Sequence, residues 1–142
     1  MAKSLFLSWA SDVGVNHTPA YQVSGRPFAK NLTLVAETKT QVKFEYVTRW
    51  IYVVNNGTAD VKVAFSSNGF NAGNTNFFIV PKGNGTAASY HNSVRLELKV
   101  SELWLSSSGT PDVSVVAGMT SIRPNKVSGS LGPSWSGSLG VS

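Results

Sequence analysis

Between residues 94 and 100 apolar and charged side chains alternate without a break. Val94, Leu96, Leu98 and Val100 are interleaved with Arg95, Glu97 and Lys99. Successive side chains of an extended chain point to opposite faces, so a period of two predicts a half-buried strand with four apolar residues inward. The same pattern recurs at Val42, Phe44 and Tyr46, and at Val61, Val63 and Phe65. It recurs again at Val113, Val115 and Ala117, where the strand is expected to run on towards Ile122. A shorter alternation begins at Asn31. The segment TRWIYVVN, residues 48–55, is β-branched and aromatic on both faces and reads as a central strand covered on both sides. Asn55-Asn56-Gly57 follows, and these residue types tolerate the positive φ of a tight turn. Residues 48–65 therefore read as a hairpin.

Phe77 to Val80 reads as a short buried strand stopped by Pro81, and Leu103-Trp104-Leu105 as another after a tight bend at Ser101-Glu102. Residues 66–76, 82–86 and 106–111 are Gly-, Asn- and Ser-rich loops. No segment sustains a helical period. Seven or eight strands punctuated by turn signals predict an all-β antiparallel β-sandwich or barrel. Residues 1–30 read as an N-terminal arm or a first strand, residues 31–126 as the β-sandwich, and residues 127–142 as a separate Ser/Gly-rich segment.

That last segment writes SGSLG twice, eight residues apart. Its odd positions carry Val127, Leu131, Trp135, Leu139 and Val141, while every even position is Ser or Gly. The four-residue spacing also suits a helix face, but the glycines, serines and proline oppose helix. An extended C-terminal arm with one apolar edge is the reading adopted. The same composition also fits a flexible tail, and the alternation a strand of its own domain. An apolar-edged arm needs a surface to lie on, so these five residues are the candidate subunit interface.

Composition changes the picture in three places. Hydrophobic residues make up 42% of the 142 and charged residues only 13%, well under the roughly 25% of an average soluble domain, so the chain is globular and β-rich rather than disordered. The net charge of +5 comes from scattered Lys and Arg, with Arg123 and Lys126 the nearest thing to a cluster. That favours general attraction to an anionic neighbour over specific nucleic-acid binding. With no cysteine, disulfides and Cys-based zinc sites are excluded. The apolar patch near Leu5 is too short for a signal-peptide core, and no apolar run is long enough for a membrane span. Asn16, Asn31, Asn56 and Asn84 each begin an N-x-Thr triplet, read as turn and strand-edge chemistry.

No convergent catalytic set emerges. His17 and His91 have no metal-ligand partner at a useful spacing, and no nucleophile elbow is present. Glu45 and Glu97 read as cross-strand charge partners of lysines rather than as a glycosidase pair. Gly83-Asn84-Gly85-Thr86 lacks the spacing and the Lys of a P-loop. No cofactor is implied, and the chain reads as a non-enzyme. Among the aromatics, Trp9, Phe70, Tyr90 and Trp135 fall in loops or arms. They suit either sugar stacking or burial at a subunit contact.

Residues 47–80 and 94–122, with the runs VRLELKVSELWL and DVSVVAGMTSI, resemble the small single jelly-roll virion proteins of double-stranded DNA viruses. That resemblance implies a jelly-roll-like sandwich serving as a capsid decoration, minor capsid or penton component, located in the virion. It implies other copies of the chain and the major capsid protein as partners, and it carries over no catalytic residue. A carbohydrate-binding β-sandwich module, with a glycan as ligand, is the alternative expectation.

Overall fold

The computed structural model describes residue 15 and residues 25–83 and 92–142. Trp9, His17, Tyr21, Tyr90, His91, Asn16 and Asn84 lie outside the described residues, as does most of the expected N-terminal arm.

Eight strands are described: β1 (Arg26–Thr33), β2 (Thr40–Lys43), β3 (Thr48–Asn55), β4 (Val61–Ala64), β5 (Phe78–Val80), β6 (Asn92–Leu96), β7 (Glu102–Ser106) and β8 (Asp112–Met119). They form two four-stranded antiparallel sheets, ordered β1-β8-β3-β6 and β2-β7-β4-β5. The inner faces meet in one core. Ile51 and Val53 of β3 lie opposite Ala117 and Val115 of β8 in the first sheet. In the second, Val42 opposes Leu103 and Val63 opposes Leu105. All eight of these side chains are buried. Phe28 meets Phe44 edge to face, with centroids 5.0 Å apart, and closes the core beneath β1.

The wiring is that of a jelly roll. Of the seven steps from strand to strand, only β4 to β5 stays within a sheet; every other connection crosses to the opposite one. This corrects the expected hairpin over residues 48–65. β3 and β4 belong to different sheets, and Asn55-Asn56-Gly57 is a corner between them. The Asn55 side chain is fully buried. Its Nδ2 lies within hydrogen-bonding distance of the carbonyls of Ala59 (2.9 Å), Val80 (3.1 Å) and Pro81 (3.2 Å), and its Oδ1 accepts from Gly57 N (3.0 Å). One amide thus ties the end of β3 to the end of β5 across the sandwich, satisfying backbone groups that the change of sheet leaves unpaired. Gly57 is required by space: a Cβ there would stand 2.4 Å from the Pro111 side chain.

Other boundaries shift. β1 begins at Arg26, so it straddles the boundary expected at residues 30 and 31. β6 ends at Leu96, although Leu98 and Val100 still turn inward. β8 stops at Met119. β5 is an edge strand with Ile79 half exposed rather than a buried one. β3 is central in its sheet, as expected, yet covered on one side only, because Tyr52 on its outer face is 38% exposed.

The largest correction concerns residues 127–142, which do not extend. Pro124–Val127 is a single 3-10 turn, Gly129 and Gly132 form an isolated antiparallel bridge, and successive turns follow to Ser142. Ser134 (φ +57°) and Trp135 (φ +62°) are consecutive left-handed residues, a conformation that costs roughly 1–2 kcal/mol per residue outside glycine. Burial holds them there. Ser134 is fully buried, where its Oγ accepts from Ser101 N (3.3 Å) and donates to Glu102 O (3.4 Å). Trp135 N donates to Val127 O (2.6 Å), closing the loop.

Candidate functional site

The folded tail splits the predicted interface row in two. Val127 is fully buried in a small cluster with Val47 and Ile122, against which Val15 also packs. Trp135 bridges that cluster and the main core, and its indole Nε1 donates to Lys99 O. These two side chains therefore serve their own subunit. Val141 is partly covered and lines a shallow cleft of about 390 Å³ beside Phe65, Leu98 and Trp135. Leu131 is 69% exposed and Leu139 fully exposed. Of the five residues expected at an interface, two face outward.

The outward pair meets the loop between β4 and β5. Ser66 starts that loop by accepting from Asn68 N (3.2 Å) and capping a 3-10 turn over Ser67–Phe70. The same hydroxyl lies 3.0 Å from Ser136 Oγ and donates to Ser142 O (3.3 Å). Asn76 Nδ2 donates to Ser142 Oγ. Together these bonds seat the end of the tail against the loop. Between them opens a cleft of about 530 Å³ lined by Asn68, Asn71, Asn74 and Asn76 on one side and by Leu131 and Leu139 on the other.

Within the cleft Asn71 Nδ2 donates to Asn68 Oδ1 (3.2 Å) and Asn74 Nδ2 to Asn68 O (2.8 Å). Lys39 reaches the rim, where its Nζ donates to Asn71 Oδ1 (2.6 Å) and Ser67 O (3.1 Å). In the sequence the four asparagines read only as loop formers. Their close spacing at 68, 71, 74 and 76 was the available signal, because side chains so near in a compact turn converge on one wall.

The second exposed feature is the outer face of the first sheet. Ala29, Val116, Tyr52 and Arg95 stand in register across all four of its strands. Trp50, the next outward residue of β3, lies under the Arg95 guanidinium, 5.6 Å from the ring centroid. Arg95 also pairs with Glu97 at 3.1 Å, both side chains well exposed. Glu97 thus finds its cation two residues away on its own chain, and not on a neighbouring strand. Such a pair contributes a fraction of a kcal/mol.

The loop aromatics proposed for sugar stacking are otherwise engaged where they are described. Trp135 is turned inward, and Phe70 packs against Phe77 with centroids 6.0 Å apart. Glu102, expected at a bend, is buried at the start of β7 and accepts from Trp104 Nε1. Among the described residues no three His, Cys, Asp or Glu side chains gather as a metal site, and no helix is long and apolar enough to cross a membrane.

Strand order and surface together define the class of molecule: a jelly-roll sandwich, eight-stranded among the described residues, with a sheet face centred on aromatic and apolar residues and an amide-lined cleft at its side. No known family model matches the chain, and no curated protein matches it. A solved structure of Bacillus endospore appendages, described as a novel family of disulfide-linked pili, is similar over 67% of this chain and 85% of that one. The identity is 16% and the TM-score 0.39, a likeness too slight to bear on function.

Proposed function

We propose that the protein is a virion structural subunit, a non-enzymatic jelly-roll component of a capsid that stabilises the shell through contacts with other copies of itself and with the major capsid protein. The observation that carries this reading is the strand order, β1-β8-β3-β6 facing β2-β7-β4-β5. It is the layout implied by the resemblance of residues 47–80 and 94–122 to small jelly-roll virion proteins. Fold alone hosts many functions, so the reading also draws on the surface. Tyr52, Val116 and Trp50 form an apolar, aromatic centre on a sheet face, and these residue types are enriched where proteins meet. With the tail folded back, this face replaces the arm as the contact proposed for a neighbouring subunit; Leu131 and Leu139 remain as the outward remnant of the original row.

The test is to find the protein. It is expected in purified particles at a fixed ratio to the major shell protein, and native mass spectrometry of the isolated protein is expected to give a multiple of the 15.1 kDa subunit. A Val116→Glu variant should keep its melting temperature and lose incorporation. A strictly monomeric protein absent from particles would overturn the reading.

A further inference from the structure

We infer that the cleft between the Asn-rich loop and the folded tail is a binding site for a neutral saccharide. The inference goes beyond the structural role proposed above and does not depend on it. It rests on a match of chemistry. A sugar ring carries hydroxyls around its rim, each both donor and acceptor, and C–H groups over its faces. The cleft offers the complement. On one wall stand four carboxamides, and among the described residues no charged side chain lines it.

Among the described residues, the bonds of those amides leave useful capacity open. Asn68 uses its Oδ1 and keeps its Nδ2, while Asn74 and Asn76 use their Nδ2 and keep their Oδ1. One donor end and two acceptor ends within a single loop suit adjacent hydroxyls, which need both kinds of partner. The opposite wall is aliphatic. Leu131 and Leu139 are exposed to water, and covering them with the C–H face of a ring would recover part of that apolar area.

Size and rigidity agree. A volume of about 530 Å³ falls within the range of roughly 300–1,000 Å³ typical of small-molecule sites. The loop is braced by Ser66, which caps its 3-10 turn and meets Ser136, and by Asn76 bonded to Ser142. Lys39 lies at the rim, where its Nζ donates to Asn71 and the Ser67 carbonyl; the lining itself is amide, hydroxyl and aliphatic, which matches a neutral ligand.

The experiment has two arms. A printed array of neutral, sialylated and sulfated glycans is followed by saturation-transfer NMR of the intact protein with neutral disaccharides at millimolar concentration. At least one neutral saccharide is expected to bind. Its affinity should fall about tenfold in Asn74→Ala, through a lost hydrogen bond, and severalfold in Leu139→Ser. Leu139 is fully exposed, so its variant folds even if the loop change does not, and thermal melting checks both. Three results would overturn the site: no neutral saccharide bound at millimolar concentration, binding confined to sulfated or sialylated glycans and abolished by salt, or affinity unchanged in both variants.

Discussion

The two copies of SGSLG are identical in sequence and opposite in fate. In the first, residues 128–132, the chain folds into a tight bridge, with Gly129 N donating to Gly132 O at 2.7 Å. It is pinned from both sides: Val127 is buried before it, and Leu131 N donates to Ser136 O at 2.9 Å. The second copy, residues 136–140, is anchored at its start by Ser136 and then turns outward through Gly137 (φ +94°) and Gly140 (φ +87°). The larger side chains divide differently, by position relative to each repeat and not by copy. Val127 and Trp135 face the core, while Leu131 and Leu139 face water. A four-residue spacing therefore places side chains on one edge only while the chain keeps one conformation. The tight bridge at Gly129 and Gly132 and the left-handed pair at Ser134 and Trp135 end that condition.

Four experiments press on this contrast. The largest effect is expected on deleting residues 127–142. Losing Val127 and Trp135 uncovers Val47 and Ile122 and should cost about 5 kcal/mol, read as a shift of the urea midpoint. A truncated protein of unchanged stability would show that the tail is a passenger. Trp135→Ala alone should cost about 3 kcal/mol, below a fully buried tryptophan because the ring is only partly covered. Comparable losses for Trp135→Ala and Leu139→Ala would erase the division into inward and outward halves.

The glycines sharpen the contrast further. A Cβ on Gly129 would lie 2.1 Å from Ser136 O, whereas Gly140 faces open space and is limited only by its positive φ. Gly129→Ala should therefore cost about 2 kcal/mol and Gly140→Ala about 1 kcal/mol in parallel thermal melts. The smallest effect is expected for Leu131→Ser and Leu139→Ser, within about 0.5 kcal/mol of the parent. A loss much above that would mean these leucines already support the fold.

Strand identity was readable because it rests on local alternation. The pattern gives β3 to the residue, and Val42 of β2, Val61 and Val63 of β4, and Val113, Val115 and Ala117 of β8 face inward as expected. Sheet membership was not readable. Asn55-Asn56-Gly57 specifies that the chain reverses, but the bonds that carry it to the other sheet run from Asn55 to Val80 and Pro81, 25 and 26 positions on. The tail departs from the expected extended arm for a related reason. Parity assumes one backbone conformation throughout, and the force that breaks it is burial of Trp135 against segments near residues 47 and 99. The cleft was missed because asparagine is common in loops for backbone reasons, and its amides become a wall only once the tail lies opposite.

The order β1-β8-β3 has a consequence for how the molecule comes into being. Among the described strands β8, which sits between β1 and β3 in the first sheet, is the last in chain order, so β1 and β3 are made early with a gap between them. Among the described strands only β4 and β5 can pair at once with a neighbour along the chain. A ribosome must thread out residue 119 before that gap can fill. Assembly of the sandwich is therefore a late, long-range event, slow by its topology, and half-made chains carry open strand edges that a chaperone would recognise.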